Sequence, residues 1–270
     1  MLVKEFQLDL SKRTHVMGIL NVTPDSFSDG GQYTEMEKAI AGAKKMEEEG
    51  ADIIDIGGES TRPGHTPVGA QEELERIIPI VKALKDSLQI PISVDTFKSE
   101  VAEQAVKAGA SMINDIWGAK KDPEIAKVAA RYQVPLILMH NRTDMNYSDF
   151  ITDVKADLQE SISIAKKAGV ADNQIILDPG IGFAKTMEQN QYMIKELQEL
   201  QIFGYPLLLA TSRKRFIGDI LDAAAPERDI GTAATTVVGI AKGAQIVRVH
   251  DVKTNLEAAK VADAIYQTKL

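Results

Sequence analysis

Cysteine is absent from this sequence of 270 residues. Its absence excludes disulfide bonds, thiolate nucleophiles and cysteine-ligated metals, and it is compatible with a reducing compartment. Histidine is scarce as well, with four residues and no His-x-x-x-His pair. A hydrolytic zinc site is therefore weakly supported, because such sites depend on clustered ligands.

The chain also has fewer basic than acidic residues, 31 against 39, which gives a formal net charge of −8. No overall positive field is available to attract a nucleic acid or an anionic membrane. Any anionic substrate must therefore bind to locally placed cations. The opening MLVKEFQLDL carries charges among its first residues, unlike a signal peptide or a membrane span, and we expect a cytoplasmic protein.

What the sequence does have is a repeated pattern of short apolar runs, each followed by a segment with helical periodicity. There are eight of these runs: HVMGILN, DIIDIGG, PISVDT, SMINDI, PLILMH, QIILDPG, YPLLLATS and AQIVRVHD. Runs that are apolar on consecutive residues are typical of strands that are covered on both faces. This pattern predicts a parallel sheet layered with helices.

Eight such units predict an α/β fold with a single (β/α)8 TIM barrel, whose usual length the chain approaches. We expect residues 1–270 to form one domain, because no linker or low-complexity tract interrupts them. The segment from Val3 to about Lys12 is expected to form a short N-terminal β-hairpin that seals the bottom of the barrel. An open, doubly wound sheet is the structural alternative, although it usually has fewer strands.

Polar residues stand at the ends of these apolar runs. In a TIM barrel, a polar residue at the carboxyl end of a strand points into the active site. The ends here supply acids, amides and bases, namely Asn21, Asp55, Asp95, Asn114 with Asp115, His140, Asp178, Lys214, Arg248 and His250. This pattern indicates a functional site rather than a purely structural barrel.

Three of these residues, Asp95, Asn114 and Asp178, suit a flat heterocycle. One carboxylate accepts two parallel donors from a ring N–H and an adjacent exocyclic amine, while an amide serves a mixed donor and acceptor edge. Such an edge belongs to a pterin. The alternative for each residue is that it caps the following helix, a position that Asp and Asn favour.

A second set is cationic or suited to oxyanions, and it consists of Asn21, Arg62, Lys214, Arg248 and His250. Arginine forks and histidine donors suit phosphate oxygens, and the last two βα loops of a barrel frequently hold phosphate. A pyrophosphate site is therefore predicted, with Asn21 as a neutral oxygen ligand for Mg²⁺ that phosphates and water mainly hold. The alternative is a solvated basic turn at Arg213, Lys214 and Arg215.

Two loops rich in Gly, Pro, Ser and Thr follow the first two runs: NVTPDSFSDGG at 21–31 and GGESTRPG at 57–64. Their length and position predict mobile loops over the open end of the barrel, and two ordinary turns are the alternative. Among the histidines, His15 and His65 are expected at the surface, whereas His140 belongs either behind the site or in the core.

The same segments resemble those of a known family. NVTPDSFSDGG, GADIIDIGGESTRPG, PISVDTFKSEVAEQA, INDIWG, LMHNR, DPGIGFAKT, LLLATSRKRFIG and VRVHDV are similar, in this order, to consecutive motifs of the bacterial dihydropteroate synthases. The resemblance extends from about Met17 to about Val252, and its first, second and seventh motifs are highly specific. No departure is evident at a position that is expected to act.

The resemblance implies a transferase of folate biosynthesis that condenses 6-hydroxymethyl-7,8-dihydropterin pyrophosphate with para-aminobenzoate to give 7,8-dihydropteroate and pyrophosphate. It also implies Mg²⁺ as a cofactor, competition by sulfonamide drugs, and a homodimer. The pterin-binding residues would be Asp95, Asn114, Met139, Asp178, Lys214 and Arg248. Four of them would also be catalytic, namely Asp95, Asp178, Lys214 and Arg248.

The resemblance assigns residues to the other ligands as well. Pyrophosphate would bind to Asn21, Thr61, Arg62, Arg248 and His250. Asn21 would also reach Mg²⁺, and Asp29 would join as the first loop closes. Para-aminobenzoate would bind to Phe27, Thr61, Pro63, Phe183, Ser212 and Lys214.

The main functional alternative is a pterin-binding methyl-transfer module that presents methyltetrahydrofolate to a corrinoid protein, because it shares the barrel and the acidic set. Such a module has no use for a pyrophosphate or aminobenzoate site. The segment from Ser212 to Lys214 and the two loops therefore favour the synthase. A non-catalytic homologue that only binds or regulates is a further alternative, which an altered site residue would support.

Overall fold

The computed structural model describes residues 1–3, 6–22, 32–59 and 68–268. The strands are β1 (Leu2–Val3), β2 (Phe6–Gln7), β3 (His15–Asn21), β4 (Ile53–Gly57), β5 (Ile92–Asp95), β6 (Met112–Asp115), β7 (Leu136–Met139), β8 (Ile175–Asp178), β9 (Leu208–Leu209) and β10 (Ile246–Val249). The helices are α1 (Gln32–Glu48), α2 (Ala70–Leu84), α3 (Ser99–Ala108), α4 (Glu124–Tyr132), α5 (Phe150–Lys167), α6 (Met187–Lys195), α7 (Arg215–Leu221), α8 (Asp229–Ala241) and α9 (Val252–Tyr266).

Strands β3 to β10 form one parallel sheet in the order β8-β7-β6-β5-β4-β3-β10-β9. The two ends of the sheet meet, because a parallel bridge joins Leu177 in β8 to Leu207 next to β9. The amide of Leu177 also donates to the carbonyl oxygen of Pro206 at 2.9 Å. The predicted TIM barrel is therefore confirmed, and the open sheet is excluded.

The side chains of the barrel strands alternate between two faces, as in any β-strand. One face packs outward against the helices, and it includes Val16, Ile54, Val94, Ile113, Leu138 and Val247. The other face fills the barrel, and its lower layer is apolar: Met17, Ile53, Met112, Ile137, Ile176, Leu208 and Ile246. Two positions further along the strands, the upper layer contains Asp55, Asn114, Met139, Asp178 and Arg248.

The predicted N-terminal hairpin is present, but its strands end at Gln7 rather than near Lys12. Strands β1 and β2 pair in an antiparallel manner, with Val3 opposite Phe6. Val3 and Leu8 are buried in the same apolar cluster as the lower layer of the barrel. The hairpin therefore seals the end of the barrel that lies opposite the polar strand ends.

The amphipathic segments form helices around the barrel, as expected. In α3, the buried residues include Val101, Ala105 and Ala108, whose spacing by three or four places them on one helix face. Helix α6 begins with a capping box, in which Thr186 and Gln189 each accept the other's backbone N–H. None of the described helices combines the length and the apolar character needed to cross a lipid bilayer.

One expectation about the histidines is wrong, since His15 is buried rather than exposed. Its Nδ1 lies 3.1 Å from the carbonyl oxygen of Arg13, and burial lowers its pKa. The adjacent Thr14 donates through Oγ1 to Asp263 of α9 at 2.9 Å. Helix α9 therefore covers the start of β3. His15 opens an apolar run, which was the available signal for burial. His65 lies outside the described residues.

Candidate active site

The carboxyl ends of the strands meet at one end of the barrel because the strands are parallel. Asp95 lies opposite Asn114 in the neighbouring strand, and Met139 lies opposite Asp178. All four side chains are nearly buried, with exposed fractions between 3% and 7%. Together they form a floor of buried side chains, whose polar groups need hydrogen-bond partners from the protein or from a ligand.

Arg248 connects the acidic residues of this floor. Its Nε donates to Asp55 Oδ2 at 2.6 Å, and its Nη2 donates to Asp95 Oδ2 at 2.8 Å. The side chain of Arg248 keeps an exposed fraction of 15%. The guanidinium is therefore paired on its inner side and accessible from the open end of the barrel.

Asp55, a strand-end residue for which the sequence predicts no role, also belongs to this cluster. It is fully buried, and its Oδ2 also accepts from Asn114 Nδ2 at 3.0 Å. This contact turns the amide oxygen of Asn114 away from Asp55. Within the described residues, the other carboxylate oxygen, Oδ1, has no hydrogen-bond partner. Asp55 thus orients two predicted pterin-binding residues, Asn114 and Arg248.

Burial and charge shift the pKa values of the site in opposite senses. Burial raises the pKa of Asp95 to about 7, against the attraction of Arg248, and it raises the pKa of Asp178. Burial lowers the pKa of Lys214 to about 8, although the Asp178 carboxylate opposes this shift. Burial alone would lower the pKa of Arg248, but Asp55 and Asp95 raise it. Such perturbed groups at a barrel's open end are typical of functional sites.

The helix-cap alternative is wrong for Asp95, Asn114 and Asp178. The residues that actually occupy the N-cap positions of α3, α4 and α6 are Lys98, Pro123 and Thr186. Asp178 does use one oxygen locally, since its Oδ1 accepts from the amide of Gly180 at 2.7 Å.

Lys214 and Ser212 lie at a second cluster beside the floor. The ammonium of Lys214 donates to the carbonyl oxygen of Ile181 and lies 4.9 Å from the centre of the Phe183 ring. Ser212 Oγ lies 2.8 Å from His250 Nδ1 and accepts from the His250 amide at 3.0 Å. A cation, an aromatic ring and two hydrogen-bonding side chains therefore adjoin the acidic floor.

The alternative of a solvated basic turn separates into three outcomes. The side chain of Arg215 is 91% exposed, as that alternative expects. Arg213 binds both oxygens of Asp229, at 2.7 and 2.8 Å. Lys214 is half-buried against the Phe183 ring, so the alternative is wrong for this residue.

The turn at 180–184 joins the two clusters and depends on glycine. Gly180 has a φ of 68°, and a Cβ added there would overlap the carbonyl oxygen of His140. Tyr147 donates its hydroxyl to the carbonyl oxygen of Ala184 at 2.8 Å, which holds the other end of the turn. The shape of the turn therefore places Phe183 next to Lys214.

Gly180→Ala is expected to lower the free energy of unfolding by about 1–3 kcal/mol more than Gly204→Ala, because of the overlap. Gly204 is the matched control: it also has a positive φ, 71°, but no described atom lies within 4 Å of its added Cβ. Urea unfolding of both variants measures the difference. Equal losses would mean that backbone conformation alone requires glycine at 180.

Asn21 ends β3 on the same rim. Its Oδ1 and the Asp95 Oδ2 flank Gly57, at 3.7 and 3.8 Å from the position of an added Cβ. Among the described residues, no group of three or more acidic or histidine side chains could hold a metal ion. The described residues therefore offer an amide oxygen at this position rather than a complete set of metal ligands.

Five predicted site residues lie outside the described residues: Phe27, Asp29, Thr61, Arg62 and Pro63. The remaining ones, Asn21, Asp95, Asn114, Met139, Asp178, Phe183, Ser212, Lys214, Arg248 and His250, stand at the carboxyl ends of the barrel strands or in the loops that follow. His140 proves to be a buried residue behind the site. It contacts Lys185, which is not among the predicted site residues. The only signal for Lys185 in the sequence is its place in the DPGIGFAKT motif.

Comparison with known proteins gives a consistent result. The model of a family described as pterin binding enzyme matches residues 17–250, which include every site residue named above. The curated dihydropteroate synthase of Bacillus subtilis (strain 168) is 56% identical, over 97% of this chain and 92% of that protein.

Solved structures of dihydropteroate synthases have the same fold as this chain. The dihydropteroate synthase of Clostridium difficile, determined in the presence of pteroic acid, has a TM-score of 0.95 at 52% identity and covers 97% of this chain and 100% of that one. The Yersinia pestis dihydropteroate synthase with a sulfonamide drug has a TM-score of 0.92 at 42% identity and covers 100% and 99%. With the same barrel and a sequence match that spans the whole site, this chain belongs to the pterin-binding enzymes and, within them, to the dihydropteroate synthase family.

Proposed function

We propose that this chain condenses 6-hydroxymethyl-7,8-dihydropterin pyrophosphate with para-aminobenzoate, forming 7,8-dihydropteroate and releasing pyrophosphate. The observation that carries the proposal is the convergence of buried acceptors and basic donors at one end of the barrel. Arg248 contacts Asp95 directly, and Lys214 interacts with both the Asp178 charge and the Phe183 ring.

The acidic floor would hold the pterin. Asp178 and Asp95 supply carboxylate oxygens for the ring N–H and amine donors, and Asn114 supplies an amide. Met139, 3% exposed, adds an apolar contact at the same level. Arg248 and Lys214 would flank the ring, since Arg248 binds Asp95 and Lys214 interacts with the Asp178 charge.

The catalytic task is to stabilise two developing charges. Breaking the bond between the pterin methylene carbon and the pyrophosphate oxygen leaves positive charge on the carbon and negative charge on the leaving group. The buried Asp95 and Asp178 favour the electron-poor pterin, and Arg248, His250 and Arg62 favour departing pyrophosphate. No covalent nucleophile is needed.

Para-aminobenzoate would bind in the second cluster, beside Phe183, Ser212 and Lys214, with Phe27, Thr61 and Pro63 contributing from the loops. Its amine attacks the methylene carbon and loses a proton as the new C–N bond forms. Holding the two reactants together contributes much of the rate, because a bimolecular step becomes effectively intramolecular. A sulfonamide, which resembles this substrate, would compete for the same pocket.

A magnesium ion fits the proposed site. Asn21 would offer one oxygen ligand, with Thr61, Arg62 and Asp29 near the phosphates that Mg²⁺ prefers as its main ligands. When bound, the ion would neutralise charge on the pyrophosphate. The observation that supports this role is the Asn21 oxygen on the rim beside Asp95.

The proposal includes a homodimer in the cytoplasm. Helices α7, α8 and α9, which pack in sequence against each other, expose large apolar side chains: Ile220, Leu221, Ile230, Val238, Val261, Ile265 and Tyr266. Burying such surface against a second copy is favourable.

Light scattering of the purified protein should give the mass of two chains. The Val261→Glu variant should give the mass of one chain, because a charge would be buried in the interface. An unchanged mass in this variant would place the interface elsewhere.

The decisive test measures pyrophosphate release by the purified protein. Release should require both substrates and Mg²⁺, and it should stop when either substrate is omitted. Binding of the pterin pyrophosphate without turnover would support the non-catalytic alternative. Methyl transfer from methyltetrahydrofolate to a corrinoid protein would support the other alternative, which the Lys214 and Ser212 cluster disfavours.

A further inference from the structure

A series of hydrogen-bonded polar side chains, Arg142, Asp157, His140 and Lys185, ends at the turn 180–184. His140 Nε2 lies 2.9 Å from Asp157 Oδ2, which also accepts from Arg142 Nε at 2.5 Å. On its other side, His140 Nδ1 lies 2.8 Å from Lys185 Nζ. His140 is fully buried and Lys185 is 7% exposed, whereas the side chains of Arg142 and Asp157 keep exposed fractions of 22% and 17%. The series therefore leads from a partly exposed arginine into the interior.

The protonation states determine which group donates and which accepts in each of these hydrogen bonds. Burial lowers the pKa of His140 to about 4, so its ring is neutral at pH 7 and carries a single N–H. Although burial opposes it, hydrogen bonds from His140 and Arg142 hold the pKa of Asp157 below its usual value. Because this carboxylate can only accept, the proton of His140 stands on Nε2. Nδ1 is then the acceptor for an N–H of Lys185.

Lys185 uses all of its donors. Besides His140, its ammonium donates to the carbonyl oxygens of Gly180 at 3.0 Å and of Phe183 at 3.2 Å. A charged lysine has three N–H groups, and here each has an acceptor. The geometry is therefore matched to the charged form, although burial lowers the pKa of Lys185 to about 7.

These contacts fix the turn from within. Its backbone has positive φ at Gly180, Gly182 and Ala184, and the amide of Phe183 donates to Gly180 O at 3.1 Å. Lys185 donates to the carbonyl oxygens of both residues that this backbone hydrogen bond joins, Gly180 and Phe183. A conformation of this kind persists only when its surroundings determine it.

We propose that Lys185, itself held by His140 and Asp157, is a positioning residue that fixes Phe183 against Lys214 and thereby sets the affinity for the aromatic amine substrate. The inference rests on the proposed function, because it takes the Phe183 side of the site as the para-aminobenzoate side. Lys185 acts through Phe183 and not on the reacting atoms.

Steady-state kinetics with each substrate varied in turn tests the inference. In Lys185→Met, the KM for para-aminobenzoate should rise at least about tenfold, and in His140→Phe about threefold, while the KM for the pterin pyrophosphate changes less than about twofold. Lys195→Met is the matched control, since Lys195 has a side chain that is 72% exposed. Both KM values should stay unchanged in this control.

Hydrogen exchange supplies a readout that is independent of activity. The peptide that covers 180–184 should exchange faster in Lys185→Met, while peptides of β3 to β5 should be unaffected. Equal rises in both KM values, or an unchanged KM for para-aminobenzoate, would overturn the inference. If Lys185→Met does not fold, His140→Phe decides by the same criterion. A wild-type protein without pyrophosphate release would instead remove the proposed function.

Discussion

Asparagine in place of Asp178 is expected to lower kcat/KM at least about tenfold, a loss of about 1.4 kcal/mol in transition-state stabilisation. The variant keeps an oxygen for the amide of Gly180, 2.7 Å from Oδ1 in the wild type, so the turn retains its shape. It loses the negative charge that favours an electron-poor pterin. Its amide NH2 also faces donors of the ring, where an acceptor is needed.

Asp172 provides the control at the opposite end of the same strand. It lies just before β8, with a side chain that is 63% exposed, whereas Asp178 ends the strand. Residues at the amino end of barrel strands serve stability rather than catalysis. Asp172→Asn should therefore keep wild-type kcat/KM, and equal losses in the two variants, or none in Asp178→Asn, would remove Asp178 from the mechanism.

Arg248→Met is expected to lower the free energy of unfolding by about 3–5 kcal/mol near neutral pH, because it leaves buried carboxylates without their cation. Asp55 and Asp95 both bind this guanidinium through one oxygen each. Turnover should be lost as well, since the proposed pyrophosphate donor is removed. Urea unfolding and the pyrophosphate assay measure the two effects separately.

The stability loss in Arg248→Met should grow as pH rises. The pKa of Asp95 is already raised to about 7 with Arg248 present, and removing the cation raises it further. A carboxyl group whose pKa is higher in the folded state loses stabilisation as pH rises through that pKa. The deficit should thus be smaller at pH 5 than at pH 8, and a deficit that is independent of pH would contradict the assignment.

Arg131→Met is the control for this effect. Arg131 pairs with Glu103 at 3.0 Å, but its side chain is 62% exposed. Exposed pairs contribute less than about 1 kcal/mol. A loss in Arg131→Met as large as that in Arg248→Met would mean that burial does not determine the energetic role of Arg248.

The barrel and the level of its site could be predicted because the relevant patterns are local. Alternation within one strand places Ile53 with Asp55, and Ile176 with Asp178, on the inward face. A polar residue at the end of an apolar run can therefore be assigned to the open end of the barrel without knowledge of its neighbours. The sequence alone identifies Asp95, Asn114 and Asp178 as site residues in this way.

The contacts of Asp55 and Lys185 could not be predicted in the same way. Asp55 shares its strand-end position with several other acids, and only its contacts with Arg248 and Asn114 distinguish it. Lys185 lies in a loop just before a helix, a position typical of a solvated lysine, yet its ammonium is enclosed by three acceptors. Burial of a charge depends on what surrounds it.

The sequence by itself determined the eight parallel strands, the end of the barrel that carries polar groups, and the chemical types that meet there. Only the tertiary structure decided which groups pair: Arg248 with Asp55 and Asp95 across 193 and 153 positions, and Lys185 with His140 across 45. A hydrogen bond depends on separations of about 3 Å between atoms of distant segments. Local periodicity sets the face of a strand but not these distances, which depend on the order in which the strands pair and on how the sheet curves.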